Sequence, residues 1–372
     1  MIKLQFLSAV LLFLFSVSAV SASEEIKEEK STNDIIFEHI SDSHYWHILD
    51  YTDDSGVEHP IAFPLPVILV ANGQFDVFMS SEFHHGHQKV TKGKNTYQLY
   101  HDKVYIVEDT AKIQHVVVES DTLTKAIAKS EHEIDVAPTN MVLLDFSITK
   151  NVASLFLSAL LLLLIFIPVA KAYKKTTNSA PKGLQSFMEP IILFVRDDIA
   201  VPNIGKHKYQ KYLPYLLTVF FFIWINNMMG LIPFFPGGAN VTGNIAVTFI
   251  LATSTLLVTN FSGNKNYWKH IFAMPGLPFW LLPIMIIVEL IGIIAKPFAL
   301  MIRLFANITA GHIIVLSLLS LIFIFKSIYI APASVAFVLF MDILELFVAA
   351  LQAYIFTMLS ALFIGLAVQE HH

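Results

Sequence analysis

The sequence predicts an all-α polytopic membrane protein with about five transmembrane helices, preceded by a small β-rich N-terminal region. Three observations predict it. Of the 372 residues 55% are hydrophobic and only 14% charged, against about 25% charged in an average soluble domain. From position 152 onward the apolar residues form stretches long enough to cross a bilayer, for which about 20 residues suffice. Between 23 and 148, branched and aromatic residues come in short runs punctuated by "NG" and "GKN", which is the pattern of strands and turns.

Composition also excludes. Cysteine is absent, which removes disulfides, cysteine zinc sites and thiol catalysis. A formal net charge of −5 argues against a polyanion-binding surface, so nucleic acid is not an expected partner.

The elements follow in chain order. Residues 1–22 carry Lys3, an apolar core from Leu7 to Phe15, and small residues at Val20 and Ala22. That is a signal peptide, the other reading being a first span for which the core is short. Residues 23–148 are expected to form an exported, partly β region. "EEIKEEK" reads as a solvated leader, and "NDIIFEHISDSHYWHI" has near-helical apolar spacing suited to a membrane or partner surface. "IAFPLPVILVANGQFDVFMSS", "NTYQLYHDKVYIVED" and "QHVVVES" read as strands.

Residues 149–372 are expected to form a membrane domain, with spans near 152–173, 209–235, 244–261, 279–325 and 335–368. Lys174 and Lys175 follow the first span directly, which marks its inner end. "PKGLQSFMEPIILFVRDDIAVPNIGKHKYQK" mixes an apolar stripe with charges and reads as a helix on the inner surface. The second span returns outward, the third inward, and the loop "SGNKNYWKH" places Lys265 and Lys269 inside. The fourth stretch, at about 1.5 Å per residue, is about 70 Å long, so it leans, bends or folds back, with Pro297 offering a bend. The last helix brings "QEHH" to the inner side.

Charges inside these spans demand a reason, because one at bilayer depth costs roughly 2.5–3.5 kcal/mol. Glu289, Lys296 and Arg303 recur every seven positions in the fourth span, and Asn307 lies about 40° from Arg303. His312, nine positions on, is on the opposite side. Glu345 and Gln352 share a face of the last helix, with Asp342 one turn from Glu345. Arg303 as an interfacial snorkeller, or as half of a static pair with Glu345, leaves the histidine and the other carboxylates unexplained. Intramembrane Asp, Glu and His together are the parts of a proton pathway, whereas arginine keeps its charge.

"IRLFANITAGH" followed by "ILELFVAALQAYIFTMLSALFI" resembles the two C-terminal helices of subunit a of the F-type ATP synthase. Similarity extends back through "NNMMGLIP" to the first span, and "SDSHYWHI" is similar to that family's N-terminal region. The resemblance implies a multi-pass subunit of a bacterial inner membrane, N-terminal region outside and C-terminus in the cytoplasm. It implies the subunit c ring, the subunit b peripheral stalk, the other synthase subunits and the lipid membrane as partners, with no cofactor. By that resemblance Arg303 is the essential arginine, facing the ring carboxylate and separating two proton half-channels. His312 and Glu345 match the family's histidine–carboxylate pair. Glu289, Asn307, Gln352 and Asn227 match further polar positions of the path, and Asp342 joins them. Gly230 stands where some relatives carry aspartate, and Lys296 is either a path residue or an interface residue.

Two readings of other classes stay open at this point. A proton- or sodium-coupled transporter should show paired repeats and broken helices, and no second "RLFAN" occurs. An intramembrane protease needs paired aspartates, and Asp342 has no membrane partner of its type. "HHGH" at His84 to His87, beside Glu82, is a solvated loop or a metal site, and "HEIDV" at His132 lacks a zincin's second histidine. No GxxxxGK[ST] loop is present, so nucleotide chemistry belongs to other chains.

Overall fold

The computed structural model describes residues 41–369 apart from 53–57, 87, 101, 108–142, 176–179, 233–236, 274–277, 279, 326 and 328. The readings on 1–22, "EEIKEEK", "QHVVVES", His87 and His132 lie outside the described residues.

Alternation of buried and exposed positions builds the N-terminal region. Strand β1 (Tyr45–Thr52) pairs antiparallel with β2 (Glu58–Pro64), with a bulge between His47 and Leu49. "YWHI" is therefore strand, against the near-helical spacing read from the sequence, because pairing with β2 satisfies its backbone. β3 (Pro66–Ala71) and β4 (Gln74–Met79) form a hairpin through Asn72 and Gly73, at φ 54 and 75, the two positive values a type I′ turn requires. β8 (Leu144–Asp145) joins that hairpin in a second sheet of order β4-β3-β8, and β5 (Val90–Lys92), β6 (Asn95–Tyr100) and β7 (Lys103–Ile106) make a third, antiparallel sheet.

The inward faces of these sheets, including Val67, Leu69, Phe78, Tyr97 and Leu99, close around Phe83. Tyr97 donates its hydroxyl hydrogen to Asp76 Oδ2 at 2.7 Å and accepts from Asn95 Nδ2 at 3.1 Å. Burial, and then the Asp76 carboxylate, push this phenol up to about 12. Glu82 pairs with Lys92 at 2.7 Å.

Among the described residues eight α-helices follow: α1 (Lys150–Lys175), α2 (Leu184–Phe194), α3 (Val201–Ile204), α4 (Tyr209–Leu231), α5 (Ile245–Ser262), α6 (Lys265–Phe272), α7 (Leu282–Ile324) and α8 (Ala331–Val368). Among the described residues α1, α4, α5, α7 and α8 are long and apolar enough to cross a membrane. Their outer faces carry exposed apolar side chains such as Phe249, Ile291, Ile294, Ile343 and Phe347, a surface suited to lipid.

α8 packs against α4, α7, α5 and the α2–α3 stretch. Leu216, Phe220, Ile223, Leu300, Leu304, Phe356 and Ile364 fill the space between them. The segment between α2 and α3, Val195–Ala200, is a π turn that buries Val195, Ile199 and Ala200 in this core, so the stretch read as a surface helix is also structural. At Gly365 a methyl group would fall 2.0 Å from Asn203 O, so the α3 backbone lies directly on α8.

One further sequence expectation changes: residues 265–270, read as part of a loop, lie in the short helix α6. The fourth span, expected near 279–325, is one 43-residue helix through Pro297, although proline leaves the Ile293 carbonyl without its usual donor. At 1.5 Å per residue α7 is about 64 Å long, against a ~30 Å hydrocarbon layer. The C-terminal carbonyl of α8, on Val368, is capped by Lys208 Nζ and Asn264 Nδ2, both at 2.8 Å.

Candidate functional site

The two long helices α7 and α8 run antiparallel and meet through polar contacts. Asn307 Nδ2 donates to Gln352 Oε1 at 2.9 Å, and Gln352 is only 2% exposed. Further along, His312 Nδ1 lies 4.0 Å from Glu345 Oε1, with Glu345 6% exposed. Glycine makes the second contact possible. A methyl group at Gly311 would fall 2.5 Å from Glu345 Oε1, so the glutamate lies directly on the α7 backbone.

Arg303 is exposed on α7. Among the described residues it makes no ion pair with an acid of its own chain, so the static Arg303–Glu345 pair is not formed. His312 is nine residues from Arg303, which on a helix means about 14 Å along the axis and the opposite side. The fold thus separates an exposed cation on one face from a half-buried histidine beside a buried glutamate on the other.

α4 supplies the third wall. Asn227 donates to Ala349 O at 3.2 Å and accepts from the Thr242 hydroxyl at 2.6 Å, joining α4, α8 and the loop after α4. A methyl group at Gly230 would lie 3.7 Å from His312 Nε2 and 3.4 Å from Ala239 O. Gly230 thus forms part of the wall beside the imidazole, with ordinary contact distance for one added methyl group.

The remaining candidates are not gathered at this pair. Asp342 is exposed one turn before Glu345, and Glu289 is half-buried 14 residues before Arg303, about 21 Å along the axis. Lys296 is exposed and its Nζ sits 5.8 Å from the Phe363 ring centroid. It lines a narrow cleft with Thr255, Thr259, Asn260, Tyr267 and Pro297. Thr242 was not legible as a site residue: "NVTGN" reads as a turn, and nothing local shows that its hydroxyl meets Asn227.

Residues 152–365 match the family described as ATP synthase A chain. The chain belongs to that family. Proteins named ATP synthase subunit a are similar to it. That of Chloroherpeton thalassium is 49% identical over 256 residues, 65% of this chain and 75% of its own length. An ATP synthase subunit a 2 of Chlorobaculum tepidum is 52% identical over 230 residues, 60% of this chain and 64% of its own. The protein of Pelodictyon phaeoclathratiforme is 46% identical over 262 residues, 68% of this chain and 75% of its own. Residues 35–145 match a second family, a domain of unknown function.

Family membership gives the chain the proton-channel role in the membrane sector of an ATP synthase and sets aside the transporter and protease readings. It also fits the five apolar helices as a multi-pass membrane protein.

Proposed function

We propose that Arg303 is the fixed cation facing the carboxylate of a subunit c ring, and that it separates two proton half-channels. An opposite charge within a few ångströms favours a carboxylate's ionised form, while burial disfavours it. Arginine meets that need because it does not release its own proton. His312 and Glu345 take up and pass protons on one side. Asn227, Asn307 and Gln352 hold the surrounding helices in register, and Asp342 and Glu289 lie along the routes to water.

The observation that carries this reading is the placement of Arg303. It is exposed on α7 and free of the acids of its own chain among the described residues, on the face opposite the His312–Glu345 pair. A partner's carboxylate has access to it. The basic residues Lys174, Lys265 and Lys269 support a cytoplasmic placement of the inner ends and an exported β region in a bacterial inner membrane. The subunit b stalk completes the stator.

The test is ATP-driven proton pumping by the whole synthase in vesicles. Arg303→Ala is expected to abolish pumping with the complex still assembled, and pumping at the normal rate would overturn the assignment. His312→Ala and Glu345→Ala are expected to slow it less severely.

A further inference from the structure

Among the described residues, the N-terminal β region reaches the candidate site through the loop after α4. Asp42 holds the start of α1: its carboxylate accepts from Asn151 N–H at 3.0 Å and from the Thr149 hydroxyl at 2.9 Å. Lys150 N–H donates to Ser43 O at 2.8 Å. Next along the chain, Trp46 is buried against Ala239 and Val241, with Ala153 and Leu155 of α1 alongside. Its indole N–H donates to Gly237 O at 3.3 Å.

The other side of that loop touches α4. Gly238 N–H donates to Met229 O at 3.2 Å, Ala239 O borders Gly230, and Thr242 holds Asn227. Gly230 in turn borders His312. A short file of contacts therefore runs from Trp46 through residues 237–242 to the His312–Glu345 pair.

We propose that the N-terminal β region is a clamp on this loop, with Trp46 as the positioning residue that keeps His312 seated beside Glu345. The proposal rests on the channel reading above. A loop carrying Gly237, Gly238 and Gly243 has much conformational freedom to lose, and a buried aromatic ring covers roughly 150–250 Å², enough to hold one arrangement. If the loop shifts, Asn227 loses one of its two partners and the wall behind His312 moves. The titratable neighbour acting on Glu345 from α8 is Asp342, and α7 contributes His312. α4 and the loop present Asn227, Gly230, Ala239 and Thr242, none of which titrates. A changed pH profile in a Trp46 variant thus reports geometry and not a new charge.

The experiment compares Trp46→Ala, Trp46→Phe and Thr242→Val in the whole synthase, reconstituted in vesicles, with pumping measured over a pH series. Trp46→Ala is expected to lose rate several-fold and to displace the half-maximal pH. Trp46→Phe should keep most of the rate, and Thr242→Val should displace the pH profile in the same direction. Wild-type rate and profile in Trp46→Ala, or a lower rate with an unmoved half-maximal pH, would overturn the clamp. If Trp46→Ala does not assemble, the other two variants decide by the same criteria. Arg303→Ala run in parallel separates the ideas: normal pumping there sinks the channel reading, whereas loss there with unaltered Trp46 and Thr242 variants sinks the clamp alone.

Discussion

Glu345 lies so close to Gly311 that no side chain fits between them: a methyl group there would fall 2.5 Å from Oε1 and 2.7 Å from Cδ. Gly311→Ala should therefore push the carboxylate off the α7 backbone and away from His312. Misplacement of about an ångström costs on the order of 100-fold in well-positioned chemistry, and pumping should fall toward that degree. Glu345→Asp in the same chain, one methylene shorter, should restore part of the rate. Unchanged pumping in Gly311→Ala would contradict the geometry.

Gly230 predicts a graded response. A methyl group there makes ordinary contacts, 3.4 Å to Ala239 O and 3.7 Å to His312 Nε2, so Gly230→Ala should pump near the normal rate. Gly230→Leu has no such room and should displace the imidazole. Equal activity of the two variants would mean that His312 does not depend on this wall.

Asn307 and Gln352 are joined by a hydrogen bond between α7 and α8. Paired side chains in contact show coupling of roughly 0.5–3 kcal/mol. A double-mutant cycle of Asn307→Ala and Gln352→Ala, read as thermal stability of the detergent-solubilised complex, should give a coupling in that range. Strict additivity would argue that the two side chains are apart in the assembled protein.

The fold was legible in the sequence where one physical signal dominated. Unbroken apolar runs announced all five long helices, and Asn72-Gly73 announced its hairpin. α6 was missed because "KNYWKHIF" is short and polar, and its stability comes from contact with the neighbouring helices α7 and α8. Tyr45–Ile48 was misread because the same apolar residues fit two periods, and only the pairing with β2 decides between them. Arg303, His312 and Glu345 stood out as charges in apolar surroundings. Helix spacing already set His312 opposite Arg303, but the pairings needed the structure: the Asn307–Gln352 and His312–Glu345 contacts depend on the register of two helices, which no local pattern encodes. Gly230 read as a missing acid, and in the fold it borders His312 with room for a methyl group.

The base of the β region should respond to acid. Burial pushes the Asp145 carboxyl up, but hydrogen bonds from His44 and from the Ser147 hydroxyl and N–H outweigh it, and the net direction is down. The His44 contact is 3.3 Å. A carboxyl lowered on folding stabilises the native state above its unfolded value, about 3.9, and that stability is lost as pH falls through the lower folded value. Denaturant melts of the full chain from pH 5 downward should show this loss, and Asp145→Asn should flatten it. An identical slope in the variant would remove the His44–Asp145 pair from the account.

The length of α7 sets the direction of the work. A rod of about 64 Å kept within a bilayer of about 45 Å, headgroups included, slopes at least about 45° from the normal. Positions Arg303 and His312 are then offset sideways by about 10 Å as well as in depth. On the proposed reading, ions entering and leaving at laterally staggered places cannot travel straight down. Their path acquires a tangential component, and an inclined helix becomes the ramp that converts a vertical gradient into torque.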